Sequence, residues 1–245
     1  MDRLKLFIRL LEARMTPRKA KLSFNGHDIR VIRSLWWNDA KQQNFDIEIA
    51  PYFYTLAPSF KAQVIVDVGA ASGLFSLVAA FFFPEASIWA LEPSERQRIL
   101  LARNIALNGM AGRIQIVPFG LWNCEDCLSF RTHGAMSSFR KVSELPDNQA
   151  FTESIQTVSL DVWAKRSKLR RLDLIKMDIE GAEIEALEGA GEVLRKYKPR
   201  LLIQAYHHRD GVRTFERCAR YLTQLGYQCR ELKPESGLLD ASINN

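Results

Sequence analysis

The stretch VIVDVGAASG, Val64 to Gly73, decides the fold of this 245-residue chain. Four apolar residues and one acid run directly into a turn with glycines at Gly69 and Gly73, and an apolar helix pattern follows at once. A short apolar run of this kind reads as a buried parallel strand. A glycine-rich turn after it lets backbone amides approach a ligand at the strand's end, where open α/β sheets bind their ligands. The spacing is Gly-x-x-x-Gly, not the Gly-x-Gly-x-x-Gly of dinucleotide binders, which argues against a nicotinamide-dependent oxidoreductase. Asp67, just ahead of the first glycine, suits a ligand with an amine or hydroxyls better than a pyrophosphate.

Outward from this stretch the alternation is regular. The sequence predicts a helix over 74–83, a strand over 87–91, a helix over 94–107 and a strand over 114–117, then a turn over 119–122. Residues 128–160 read as irregular, with short strands at 128–131 and 157–160. A strand over 174–177, a helix over 182–196, a strand over 201–205, a helix over 212–225 and a strand over 227–232 complete the chain. Strands alternating with helices imply an α/β fold with a doubly wound parallel sheet. Ahead of it, Asn25-Gly26 marks a hairpin over 21–33. Trp36, Trp37, Phe45, Tyr52, Phe53, Tyr54 and Phe60 make 35–60 aromatic: a cap lining an acceptor pocket, or ordinary packing. The expected division is a basic helix, hairpin and aromatic cap over 1–60 and a catalytic domain over 61–245.

A hydrophobic content of 47% with 25% charged residues is that of a soluble globular protein. The longest apolar run, Leu77 to Phe83, is too short to span a membrane and stops at Pro84. Arg9, Glu12 and Arg14 interrupt any secretory signal, so the expected location is cytoplasmic. Cys124, Cys127, Cys218 and Cys229 fit a reducing compartment; one C-x-x-C without a second pair reads as incidental thiols. The net charge of +6 resides in residues 1–33, where nine Lys/Arg face three acids. Leu4, Phe7, Ile8, Leu11 and Met15 follow helical spacing among those basic residues. Such a helix lies on an anionic membrane surface through residues 1–20, docks on the domain, or docks on a second subunit of a homodimer. The remainder, neutral overall, lacks a broad phosphate-binding face, and no nucleic-acid partner is expected.

Three acids fall at the carboxyl ends of predicted strands: Asp67, Glu92 and Asp178. Glu92 is the natural partner for a ribose diol, since a carboxylate accepts two hydrogen bonds at once. Asp178, Glu180 and Glu183 crowd the next helix start, partly complementing its dipole. Asp178 is placed to contact a cofactor amine, position an acceptor hydroxyl or bind a divalent metal. Without a clear His or Asn partner the metal motif is weak, and no metal is assigned. His207 and His208 end the following strand, where a histidine serves as general base or as a structural residue. His207, nearest the strand end, is preferred.

Asp67-Val-Gly-Ala-Ala-Ser-Gly73, Leu91-Glu-Pro93, Asn104-Ile-Ala-Leu-Asn108, Ser159-Leu-Asp161 and Asp173-Leu-Ile-Lys-Met-Asp-Ile-Glu-Gly-Ala-Glu183 together resemble the FkbM family of S-adenosylmethionine (SAM)-dependent methyltransferases. The resemblance implies a class I, Rossmann-like methyltransferase, usually transferring methyl to a hydroxyl of a natural product or sugar. By that analogy Asp67, Gly69, Gly73 and Glu92 look like the SAM-binding set, with Ala70, Ser72 and Pro93 beside them in the same turns; strand-end position puts His207, Asp178 and Glu180 on the catalytic side. Ala71 and Gln204 depart from the Asn and Glu common in the family. Size and basic start are similar to rhizobial members that 2-O-methylate fucose on Nod factors, which are lipochitooligosaccharides. Other small-molecule hydroxyls, or a nucleic acid, are the alternative acceptors. Against the last, Asp178-Ile-Glu-Gly181 stands where amino-methylating enzymes carry Asn/Asp-Pro-Pro-aromatic.

Overall fold

The computed structural model describes residues 19–32, 46–133, 136–140, 152–233 and 236–243. The basic helix expected at the N-terminus lies outside these residues, as do Trp36, Trp37 and Phe45. Strands β1 (Lys19–Phe24) and β2 (His27–Ile32) form the hairpin. Asn25 and Gly26 both have positive φ, 47° and 80°, as a type I′ turn requires. Helix α1 (Ala50–Tyr54) follows.

The sheet then builds through β3 (Val64–Val68), α2 (Leu74–Phe82), β4 (Ser87–Leu91), α3 (Glu95–Leu107) and β5 (Ile114–Val117). An insertion contains β6 (Gly120–Leu121), β7 (Asp126–His133), β8 (Met136–Arg140) and β9 (Thr152–Val158). These pair as a separate four-stranded sheet in the order β6-β9-β7-β8. Next come α4 (Leu160–Arg166), β10 (Leu174–Met177), α5 (Glu183–Glu188), α6 (Gly191–Tyr197) and β11 (Arg200–Gln204). A two-residue hairpin, β12 (His208–Arg209) and β13 (Val212–Arg213), leads to α7 (Thr214–Gln224), β14 (Gln228–Glu231) and β15 (Leu238–Ser242).

The main sheet runs β14-β15-β11-β10-β3-β4-β5. Its five strands from β11 to β5 are parallel, and β15 is antiparallel to both its neighbours. The chain therefore winds outward in one direction from β3 and in the other from β10. The carboxyl ends of that central pair form the switch point where such sheets bind ligands. Alternate residues of β3 feed two cores. Ile65 packs with the hairpin, α1, α2 and α3, while Val66 and Val68 pack with α4 to α7. Leu22, Phe24, Ile29 and Val31 of the hairpin are buried in the first of these cores. Asn104 and Asn108 of α3 fasten the hairpin's edge. Ile32 and Arg30 donate their backbone N–H groups to the two Oδ1 atoms, at 2.8 and 2.9 Å.

Five local expectations are corrected. The sheet is mixed rather than wholly parallel, because β15 inserts between β11 and β14. The turn over 119–122 contains β6, and the irregular stretch resolves into β7, β8 and β9. Leu160, expected in a strand, starts α4, with Ser159 accepting from Val162 N–H at its N-terminus. The helix expected over 182–196 is two helices, α5 and α6. They break where Gly189 passes the Trp122 carbonyl so closely that a Cβ would lie 2.4 Å from its oxygen. Asp161 then caps α6 by accepting from the N–H groups of Glu192 and Val193, at 3.0 and 2.8 Å.

Candidate active site

The turn after β3 is a left-handed crossing of the switch point. Gly69, Ala71 and Gly73 have φ of 72°, 47° and 89°. The N–H groups of Gly69 and Ala70 both donate to the Leu91 carbonyl at 3.0 Å, tying the turn to β4. Gly69 lies against the backbone of Asp178: a Cβ there would be 2.0 Å from the Asp178 carbonyl oxygen. Gly73 starts α2 beneath α3, where a Cβ would meet Leu101 at 2.3 Å. The Ser72 carbonyl accepts from Asn104 Nδ2 at 2.8 Å, so one fully buried asparagine joins the turn to the hairpin.

Asp67 is fully buried beneath the turn. One carboxylate oxygen accepts from Ser76 Oγ at 2.6 Å, and the other lies 3.2 Å from Lys176 Nζ. Lys176, only 4% exposed, also donates to the Gly69 carbonyl at 2.9 Å. A buried charge requires such pairing. Asp67 thus faces inward, shaping the turn through Lys176.

Glu92, at the end of β4, is buried with each oxygen fixed by a backbone donor. Ala71 N–H donates to one at 2.8 Å and Ser94 N–H to the other at 2.9 Å. Each carboxylate oxygen retains a further lone pair. Burial pushes this carboxyl up to about 7, partly opposed by the two backbone donors and by Lys176. Arg98 donates to the carbonyls of Glu92 and Pro93, clamping the start of α3.

Across the switch point stand the acids after β10. Asp178 donates its N–H to the Val68 carbonyl at 3.1 Å. Its half-buried carboxyl is raised by burial, against the pull of Lys176. Glu180 adopts a left-handed backbone, φ 58°. Its Oε2 accepts from Tyr206 Oη at 3.1 Å and lies 3.4 Å from His207 Nε2. That carboxylate raises the His207 pKa, against burial. The Tyr206 ring stacks on His207 with centroids 4.2 Å apart. His208 is exposed on β12 and takes no part in this cluster.

The structure thus brings Gly69, Ala70, Ser72, Gly73, Glu92 and Pro93 to one side of the switch point. Asp178, Glu180 and His207 stand on the other. Sequence reasoning assigned no role to Lys176, whose signal was a lone cation inside the apolar run Leu174 to Met177. Nor did it single out Tyr206, or Tyr52 within the aromatic segment. Tyr52 is buried, and its phenol is raised well above its usual value by burial and then by the charges of Asp178 and Asp67. Within the described residues, Tyr52 thus brings this part of the aromatic segment towards these acids. No group of His, Cys, Asp and Glu suited to a metal occurs among the described residues.

The Methyltransferase FkbM domain matches residues 67–229, from Asp67 beneath the turn to Cys229 on β14. The chain belongs to the FkbM-domain methyltransferases. Methyltransferase sdnD of Sordaria araneosa is 30% identical over 167 residues, covering 57% of this chain and 64% of that protein. Methyltransferase 1 of Beauveria bassiana is 27% identical over 154 residues, covering 56% of this chain and 61% of the relative. The chain spans less than two thirds of the length of each. The crystal structure of an FkbM methyltransferase from Methylobacillus flagellatus KT superposes with a TM-score of 0.55 at 21% identity. It covers 77% of this chain and 45% of that one, a likeness of fold. SAM is the cofactor of these FkbM-domain enzymes, and the switch point fits it. The turn has no room for a side chain at Gly69, and Glu92 offers two oxygens beside it. Among the described residues, no helix is long and apolar enough to cross a membrane.

Proposed function

We propose that this chain transfers the methyl group of SAM to a hydroxyl of a small molecule or sugar. The observation carrying this reading is the position of Glu180 and His207, an imidazole and a carboxylate 3.4 Å apart, across the switch point from the glycine turn. When bound, SAM supplies a methyl group on a sulfonium, already a good leaving group. The chain must hold the acceptor oxygen in line with that methyl, about 3–3.5 Å away, and receive the hydroxyl proton.

Gly69, Ala70, Ser72 and Gly73 shape the cofactor cradle, Asp67 sets it from below, and Glu92 with Pro93 binds the ribose edge. Asp178 orients the acceptor, and the Glu180–His207 pair takes its proton. A positioned base contributes about 10²–10⁴-fold. His207→Ala should lower turnover by that order with SAM affinity unchanged. Turnover equal to wild type would remove the pair from the mechanism.

The ribose assignment has a pH signature. The Glu92 carboxyl, pushed up to about 7, holds a proton more tightly in the fold than in the unfolded chain. Its protonation stabilises the free protein as pH falls from about 7 towards its ordinary value. A ribose diol needs the carboxylate, so binding must displace that proton. SAM affinity should therefore be flat above pH 7 and weaken about tenfold per unit below it. Glu92→Gln should bind weakly at every pH. Calorimetric titrations between pH 5.5 and 8.5 read this directly, and a flat wild-type profile would refute the assignment.

Within the acceptor class, the first compound to try is a fucosylated chitooligosaccharide, methylated at O2 of fucose. The motif resemblance and the basic stretch over residues 1–33 support that choice. We take the acceptor to be neither DNA nor RNA and the enzyme to act in the cytoplasm, with residues 1–20 touching a membrane surface or a second copy of the chain. Incubation with labelled SAM and a panel of glycans, with and without EDTA, tests the reading. Labelled methyl ether supports it; transfer only to nucleic acid replaces it.

A further inference from the structure

Among the described residues, four buried side-chain polar atoms have no hydrogen-bond partner. One is Asp67 Oδ1, already ion-paired with Lys176. The other three are Glu183 Oε2, His207 Nδ1 and Thr214 Oγ1, and they belong to one corner of the molecule. Glu183 and Thr214 are both fully buried. Gly181 joins the first two: its N–H donates to Glu183 Oε1 at 2.9 Å, and a Cβ on it would lie 3.6 Å from His207 Cγ. Thr214 joins the third, donating its own N–H to the His207 carbonyl at 2.7 Å. Buried polar atoms are almost always satisfied in native proteins. Three orphans, one on the imidazole and two on residues tied to His207 through Gly181 and the His207 carbonyl, therefore point to a shared group. A buried water with three such partners is ordinary.

We propose that His207 Nδ1, Glu183 Oε2 and Thr214 Oγ1 hold one bridging water, and that Glu183 is the terminal station of a proton relay running from Glu180 through His207. The inference rests on the methyl-transfer reading of the site. As the acceptor oxygen bonds to carbon and the carbon–sulfur bond breaks with its electron pair on sulfur, the hydroxyl proton passes to Glu180. Glu180 passes it to the bare Nε2 of a His207 that starts neutral with its proton on Nδ1, while that Nδ1 proton moves through the water to Glu183. One proton leaves the acceptor and one arrives on Glu183. Glu183 is thus a positioning residue acting through His207, and burial, which lifts it to about 7, suits it to keep that proton at neutral pH. Other groups set the local field. Asp178 and Glu180 lie in the turn after β10, and Tyr206 follows the end of β11. Glu185 on α5 is paired with Arg209 on β12, and Cys218 lies one turn beyond Thr214 on α7. Burial, and after it the charge of Glu183, raises the Cys218 thiol, consistent with these helices facing each other.

The relay is tested by NMR titration of the full-length protein, following the His207 ring nitrogens and the Glu183 carboxyl carbon. In the wild type both resonances should move together in the same two steps. In Glu183→Gln, which keeps an acceptor for the Gly181 N–H, the His207 midpoint should fall by about one unit. Independent single-step titrations in the wild type would overturn the relay without any variant, as would an unmoved midpoint in a folded Glu183→Gln protein. Calorimetry with SAM separates the two readings. Absence of binding to the wild type sinks the methyl-transfer site, whereas an uncoupled titration with SAM affinity intact sinks the relay alone.

Discussion

Gly69→Ala should weaken SAM binding more than about 100-fold and lower the melting temperature by several degrees. The new Cβ would lie 2.0 Å from the Asp178 carbonyl oxygen and 3.0 Å from Ile179 Cγ2, at a backbone φ of 72°. A non-glycine residue in that region costs about 1–3 kcal/mol before any clash. The obstacle is backbone, so no rotamer change relieves it. The turn cannot swing aside either, because its N–H groups are bonded to Leu91 and its carbonyl to Lys176. Relief requires the ends of β3 and β10 to part, which opens the switch point itself. A loss of about 3 kcal/mol in cofactor binding corresponds to more than 100-fold in affinity. For a chain of this size each kcal/mol of stability shifts the melting temperature by about 2–4 °C. Gly112→Ala is the control, since nothing lies within 4 Å of a Cβ there. Normal SAM affinity in a folded Gly69→Ala protein would mean that the cofactor sits elsewhere.

These parallel strands were legible because they are short, largely apolar runs with most side chains buried. Val64–Val68, Ser87–Leu91 and the edge strand Ile114–Val117 carry the bounds that periodicity suggests. β15 was not legible because a charge interrupts it. Asp240 is 4% exposed in mid-strand, and Arg200 of β11 and Arg230 of β14 neutralise it from either side. Those partners lie 40 and 10 residues away in sequence, beyond any local pattern. The split between α5 and α6 was hidden for a similar reason: it depends on the approach of Gly189 to Trp122, a contact between distant segments. At the site, strand-end acids could be found from position alone. What each carboxylate faces could not. Asp67 and Glu92 read alike as acids after apolar runs, yet one is paired inward with Lys176 and the other is held by backbone donors at the cradle's rim. Glu180 and His207 are far apart in sequence and meet because β10 and β11 are adjacent parallel strands.

Lys176→Met should be the most damaging single substitution beneath the cradle. The methionine fills the strand position, but Asp67 keeps a fully buried carboxylate with Ser76 as its remaining partner. Breaking a buried ion pair from one side costs about 3–5 kcal/mol, because the abandoned charge remains out of water. Against a total stability of about 5–15 kcal/mol, that is a substantial share of the fold. The Gly69 carbonyl also loses its donor, so the turn loosens where the cofactor is held. Chemical denaturation should show the stability loss, and calorimetry a matching loss of SAM affinity. The double variant Asp67→Asn, Lys176→Met separates charge from shape. It removes both members of the pair, and replacing a buried pair by neutral side chains is often nearly neutral. Much of the stability should therefore return, giving a coupling energy of about 1–3 kcal/mol between the two positions. Affinity should recover less, since neither substitution gives the Gly69 carbonyl back the donor that Lys176 supplied. If the double variant is no more stable than Lys176→Met alone, then packing at the strand position, and not the ion pair, holds the cradle in place.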